Sequence, residues 1–400
     1  MQIKSRSSLV LIALTYLSFV SLGLPDGLNG VAWPSIREHF HLPVDALGSL
    51  LVMFTAGYLI SSFCSARILS QIGIGSLLAL SCLATAASLF GYALAPAWWV
   101  MVALGTVSGL GAGAIDAGLN TFAASQFSAR MVNWLHACYG VGAATGPLIM
   151  TSLLAAGRVW QSGYAIVAAW QLLLALCFGL TCRFWPKHST GSSRASNSRT
   201  SNASTLKLPV MLISIAVFFL YTGIEAAVGT WSYTLLTQSR AVAMLTAGFW
   251  VSVYWVGLTA GRILAGIVIG FVPANRLIRF CVVGMALGAL SIWLDILSFF
   301  GLGLIGLSSA PVFPSLIATT PSRLGSQHIS NAVGFQIAAA VLGQSLLPAL
   351  IGLLAGKFGL EMIGPSLFVF VVILAVLVLR LTRASLIGQD KPIGVTADVT

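Results

Sequence analysis

Apolar runs of roughly twenty residues recur along the 400-residue chain, separated by short breaks that carry its few charges and several of its prolines. A helix of about 20 apolar residues spans a ~30 Å hydrocarbon layer. Six such runs fall at 8–33, 44–66, 74–94, 97–124, 131–156 and 162–184. Six more follow at 208–235, 243–270, 276–298, 299–319, 329–356 and 361–382. In lipid every backbone N–H and C=O must be satisfied inside its own segment, so the runs read as helices. The pattern predicts an all-α membrane protein with twelve transmembrane helices.

The long polar stretch from Lys187 to Lys207 holds seven serines and shows no apolar periodicity. It reads as a flexible linker. The expected organisation is a six-helix bundle over 1–184, a cytosolic linker over 185–207, a second six-helix bundle over 208–383 and a cytosolic tail over 384–400. The two halves echo one another. Asp26 is followed four residues later by Gly30 and then by Trp33, as Glu225 is followed by Gly229 and Trp231. Ala66-Arg67-Ile68-Leu69 closes the second run and Gly261-Arg262-Ile263-Leu264 stands near the end of the eighth. The offsets, 199 and 195 residues, place both matches at equivalent points of two pseudo-symmetric parallel bundles.

Composition agrees with this picture. Hydrophobic residues make up 58% of the chain and charged residues 7%, and the mean hydropathy is +0.97. A water-soluble fold could not hide that much apolar surface. The 41 glycines would weaken helices in water, but in lipid they let helix backbones approach closely. The cysteines Cys64, Cys82, Cys138, Cys177, Cys182 and Cys281 all lie in apolar runs without a C-x-x-C pair, which points to packing thiols and to no metal site.

The net charge of +11 is spread thinly between runs, so nucleic acid is not the expected partner. Topology accounts for it instead. With the amino terminus inside, sixteen Lys and Arg fall on the cytosolic side, against Arg37, Arg158, Arg240 and Lys357 outside. That asymmetry places both termini in the cytosol of an inner or plasma membrane. No Walker lysine, H-E-x-x-H or G-x-S-x-G pattern is present, so neither an enzyme nor a cofactor is expected.

Acids inside hydrocarbon are costly and open a functional question wherever they occur. Asp26, Asp116, Glu225 and Asp295 fall within the runs, Asp295 near an outer rim where exposure is expected. Asp116 shares a helix face with Asn120 one turn on. Burial disfavours its ionised form, the condition for picking up and releasing protons, unless it is a structural acid locking spans four and five. His136, near the start of the fifth run, could reach it as a relay or could simply pack. Asp26 follows Pro25 and stands among Gly23, Gly27, Asn29 and Gly30, which should loosen or break the first helix.

Glu225 has Tyr221, Trp231 and Tyr233 along its helix, and Tyr254 and Trp255 lie in the next run. Carboxylates and amides beside aromatic planes suit sugars, though Trp and Tyr also anchor helices at interfaces. Asn331 and Gln336 could donate to substrate hydroxyls or bond across helices. Arg67 and Arg262, at the ends of the second and eighth runs, face the negative ends of their helix dipoles and are candidate conformational latches, or plain inside charges.

Gly257-x-x-x-Gly261-Arg262 resembles the signature loop of the major facilitator superfamily. Within it, the run from Gly109 to Thr121 is similar to the fourth span of fucose/proton symporter-like transporters. His136, Tyr139-Gly140, Gly142-Ala143 and Gly146-Pro147 resemble their fifth span, and Pro311-Val312-Phe313-Pro314-Ser315 their tenth. The resemblance implies proton coupling at Asp116, with Asp26 binding sugar hydroxyls or responding to their arrival. The expected function is secondary active transport by alternating access of a small polar solute, a sugar, together with protons. Proton-coupled efflux of amphipathic drugs is the rival within transport, and a non-transporting receptor or scaffold the rival outside it. The expected partners are the solute, protons and the lipid bilayer, the expected state a monomer.

Overall fold

The computed structural model describes residues 6–185, 201–268 and 271–387. Among these, twelve helices are long and apolar enough to cross a membrane. The first six are α1 (Arg6–His39), α2 (Leu47–Ile72), α3 (Ile74–Leu94), α4 (Trp98–Gln126), α5 (Ala129–Ala155) and α6 (Gln161–Thr181). The second six are α7 (Pro209–Thr234), α8 (Met244–Val268), α9 (Ala274–Trp293), α10 (Ser298–Ser309, resuming as Val312–Ala318), α11 (Ile329–Phe358) and α12 (Ile363–Ile387). All twelve expected runs are helices, and the chain is a multi-pass membrane protein. Most of the expected linker lies outside the described residues. Its last part forms a short helix, Asn202–Leu206, whose Thr205 Oγ1 sits 2.9 Å from His328 Nδ1 beside the start of α11.

The internal repeat is visible in the packing. In the first half α1 packs on α5, α2 on α4, and α3 on α6 and α4. In the second half α7 packs on α11, α8 on α10, and α9 on α12 and α10, the same pairings six helices later. Glycines make the equivalent contacts close. A Cβ at Gly109 would lie 1.9 Å from the Phe54 carbonyl oxygen of α2, and one at Gly306 would lie 2.1 Å from that of Tyr254 in α8. Likewise Gly142 meets the Val20 carbonyl of α1 at 1.9 Å and Gly343 that of Phe219 in α7 at 2.1 Å. Such backbone-to-backbone approach is how helices associate in lipid, where hydrophobicity gives no preference for protein over solvent.

Two expectations about helix breaks require correction. The first helix is not broken at Pro25: α1 runs unbroken through both Pro25 and Pro34. The flanking Gly23 and Gly27 press against Tyr139, Ala143 and Pro147 of α5, so packing holds the helix where the missing N–H would loosen it. The break occurs instead in α10, at Ala310-Pro311. Nor do Arg67 and Arg262 stand at helix C-termini, because α2 continues to Ile72 and α8 to Val268. No Gly or Pro stops either helix before Gly73 in the first case and Gly266 in the second, and Gly266 is carried within the helix.

With twelve spans, the start of α1 and the end of α12 lie on one side of the bundle, and the halves make close contacts on the other. There a Cβ at Gly30 of α1 would lie 2.4 Å from the Gly229 carbonyl of α7, and one at Gly248 of α8 would lie 2.1 Å from Thr151 Oγ1 of α5. Gly48 of α2 meets Ala349 of α11 in the same way, and Arg37 Nη1 donates to Gln238 Oε1 at 3.0 Å.

Candidate functional site

Intramembrane carboxylates must find donors, since a buried acceptor without one costs about 1–3 kcal/mol and an unpaired charge more. All three mid-span acids are answered by a tyrosine. The Tyr139 hydroxyl of α5 donates to Asp26 Oδ2 of α1 at 2.5 Å. The Tyr58 hydroxyl of α2 donates to Asp116 Oδ2 of α4 at 2.6 Å, and Asn120 Nδ2 donates to Oδ1 at 2.9 Å. In the second half the Tyr221 hydroxyl, one turn earlier on α7, donates to Glu225 Oε2. Arg262 Nη2 of α8 approaches Glu225 Oε1 at 3.5 Å.

These units face one another across the interface of the halves. Tyr139 interacts electrostatically with Asp26 on its own side and with Glu225 and Arg262 on the other. Tyr58 feels both Asp116 and Asp26. His136 lies in the field of Asp116 and Arg262, its ring set edge-on to Phe19 at 5.4 Å. No hydrogen bond joins His136 to Asp116 among the described residues, so a direct relay between them is not formed in this state.

Asp26, Asn29, Tyr58, Asp116, Asn120, His136, Tyr139 and Arg262 are each only half-buried, although they lie well inside their helices. These polar side chains keep some accessible surface at that depth, beside a close contact of the halves where a Cβ at Gly140 of α5 would lie 1.9 Å from Thr259 Oγ1 of α8.

Several candidates turn out to hold helices together. Trp231 is fully buried and donates from Nε1 to the Pro348 carbonyl at 2.9 Å, with its ring against Gly352 of α11. Tyr254 is equally buried, and its hydroxyl donates to the Glu225 backbone carbonyl at 2.8 Å, which positions that turn of α7. Gln336 Nε2 donates to Ser214 Oγ of α7 at 2.7 Å, and its amide also meets Thr320 Oγ1 at 3.1 Å. Asn331 lies near the start of α11 and reaches Thr205 of the short linker helix at 3.4 Å. Asn29 accepts from the Tyr164 hydroxyl of α6 at 2.8 Å. Arg67 is exposed, whereas Arg262 pairs with Glu225 inside the cluster.

The phenol partners Tyr58 and Tyr164 escaped the sequence reading. For Tyr58 the signal was position, since a tyrosine in the middle of a span cannot be serving the interfacial belt, which lies at the ends, whereas Tyr164 stands at the start of α6 and carried no such signal.

Residues 15–294 match the sequence model of the Major Facilitator Superfamily. The chain is 24% identical over 395 residues to Bypass of stop codon protein 6 of Saccharomyces cerevisiae, covering 86% of this chain and 77% of that protein. It is 23% identical over 353 residues to the glucose/mannose transporter GlcP of Bacillus subtilis, covering 84% and 86%. Its fold matches the crystal structure of a bacterial homologue of the human lysosomal transporter Spinster, in an inward-facing and unoccupied conformation. The TM-score is 0.78 at 15% identity, over 98% of this chain and 100% of that one.

Proposed function

Since the chain belongs to the Major Facilitator Superfamily and is therefore a transporter rather than an enzyme, we propose that it carries a small polar solute, a sugar, coupled to protons by alternating access. The observation that carries this reading is the set of three intramembrane carboxylates, each hydrogen-bonded to a phenol. A carboxylate held by neutral phenols can be neutralised by one proton without losing its neighbours, whereas a carboxylate fully paired with a cation cannot be. Asp116 and Asp26 are the proton-binding groups. Asp26, Asn29, Asn120 and Glu225 present the hydrogen-bonding surface for hydroxyls.

A polar cargo is favoured over an amphipathic drug by where the aromatic rings go. Trp231, Tyr254 and Trp255 are buried in helix contacts. These three rings are therefore not offered to a promiscuous aromatic-stacking ligand. The named activity of the Bacillus subtilis relative, glucose and mannose transport, points the same way.

The Lys and Arg distribution supports cytosolic termini and a place in the cell membrane. On that orientation the end of the bundle where Gly30, Gly48 and Gly248 make their contacts is the outer one. Solute and proton drive exchange between inward and outward states only through their different affinities for the two. The protein acts as a monomer with one path between its halves.

The test is uptake of labelled sugars into liposomes holding the purified protein, with and without an imposed pH gradient. Wild type should concentrate a sugar when the gradient is present. Asp116→Asn should lose uphill accumulation and keep downhill exchange. Continued accumulation by that variant would sink the assignment of Asp116.

A further inference from the structure

Arg240 and Arg262 of the second half are both deeply placed, and they are used in opposite ways. Arg240, at the end of the α7 segment, is 6% exposed and spends its guanidinium fully: Nε and Nη2 take both oxygens of Glu361, and Nη1 takes Asp295 and Ser298. That is a structural arginine, with fork geometry and contacts of 2.8–3.2 Å. Arg262 differs in every respect. Its side chain is 26% exposed, and among the described residues its guanidinium makes one hydrogen bond, a single long contact of 3.5 Å to Glu225. Glu225 gives its other oxygen to Tyr221. Four of the five N–H donors of Arg262 are therefore not engaged by described residues.

Helix direction decides where this group points. Side chains tilt toward the helix N-terminus. Arg262 lies near the C-terminal end of α8, so its guanidinium is carried into the bundle rather than out to the nearer membrane surface, where an arginine would otherwise snorkel. It arrives opposite Tyr139 and His136 of the first half. A permanent cation held there by one long contact to an acid keeps donors to spare, which a neutral cargo would not require.

We propose that Arg262 receives an anionic substituent of the cargo, so that a sugar acid bearing a carboxylate is carried in preference to the neutral sugar. The inference deepens the proposed sugar carrier and rests on it. A carboxylate would lie in the planar fork of the guanidinium as a bidentate partner, the geometry Glu225 does not adopt. The hydroxyls of the same molecule would meet the carboxylates and phenols of the first half. Glu225 in this scheme keeps the empty site near neutrality and yields the fork when the cargo binds.

Glucose and glucuronate make the sharpest probe, because they differ only in carrying a hydroxymethyl or a carboxylate at one carbon. In liposomes with a fixed imposed gradient, wild type should take up glucuronate faster than glucose at equal low concentration. The ratio should fall about tenfold or more in Arg262→Gln, the size expected for loss of a charged hydrogen-bonded pair. Arg262→Lys keeps the charge without the fork and should retain an intermediate ratio, which guards against a folding defect in the glutamine variant. Glucuronate should also raise the Tm of purified wild type more than glucose does.

Transport of glucose with no preference for glucuronate overturns the inference and leaves the carrier reading standing, as does a preference that survives Arg262→Gln. If neither compound is carried and neither shifts Tm, the sugar reading falls, and the inference with it.

Discussion

The closed end of the bundle rests on glycine, and enlarging one glycine should open it. At Gly30 a Cβ would lie 2.4 Å from the Gly229 carbonyl oxygen and 2.8 Å from that of Thr230 on α7. Even close C···O contacts are about 3.3 Å or longer. Gly30→Ala must therefore part α1 from α7 by roughly 1 Å at this point, and overpacking of that kind costs about 1–3 kcal/mol. The contact joins the two halves, so the penalty falls on the closed arrangement and is relieved when the halves separate there. A differential cost of this size shifts the equilibrium about 5- to 150-fold, enough to raise a ~1% minor state to several per cent or to about half. Spin labels at Arg158 and Ile296, exposed residues in the α5–α6 and α9–α10 turns of the closed side, report the change. The six native cysteines would be replaced first. Gly30→Ala should add a longer-distance population to the pulsed electron–electron distribution. A folded variant with an unchanged distribution would show that this contact does not hold the halves together.

Two further outcomes follow from the same contacts. Arg240→Ala removes a fork to Glu361 and a bridge to Asp295, but those acids are 57% and 58% exposed. Solvent screening therefore limits the loss to about 1 kcal/mol, to be seen as a small drop in Tm that shrinks further in high salt. The same arginine steadies the turn in which Asp295 and Leu297 hold positive φ values of 51° and 54°, and faster hydrogen exchange of those amides should accompany the loss. Trp231→Phe deletes the bond to the Pro348 carbonyl and should cost about 0.5–1.5 kcal/mol. Its half-saturation for solute should match wild type, since the ring packs between α7 and α11 and does not line the cleft.

The two arginines of the α2 and α8 repeats show how one sequence feature can part in function. Both continue as helix past the arginine, yet Arg67 is exposed on α2 while Arg262 reaches inward to an acid. The repeat preserved position along the helix without preserving the partner, because Asp26, the α1 counterpart of Glu225, is answered by Tyr139 of α5 rather than by an arginine.

Hydrophobic length, the scarcity of charge within the runs and the polar stretch between them were enough to determine twelve membrane-spanning helices in two repeats, since a lipid solvent leaves a polar backbone no alternative. The same physics marked Asp26, Asp116 and Glu225, because a carboxylate in hydrocarbon is too costly to be incidental. Partner identity was a different matter. Tyr139 reaches Asp26 across 113 positions of chain, Tyr58 reaches Asp116 across 58, and Arg262 reaches Glu225 across 37. Those separations carry no local periodicity. Which polar side chain faces the cleft and which, like Trp231 or Gln336, is consumed in helix contacts depends on helix rotation and crossing, and only the packed bundle sets those.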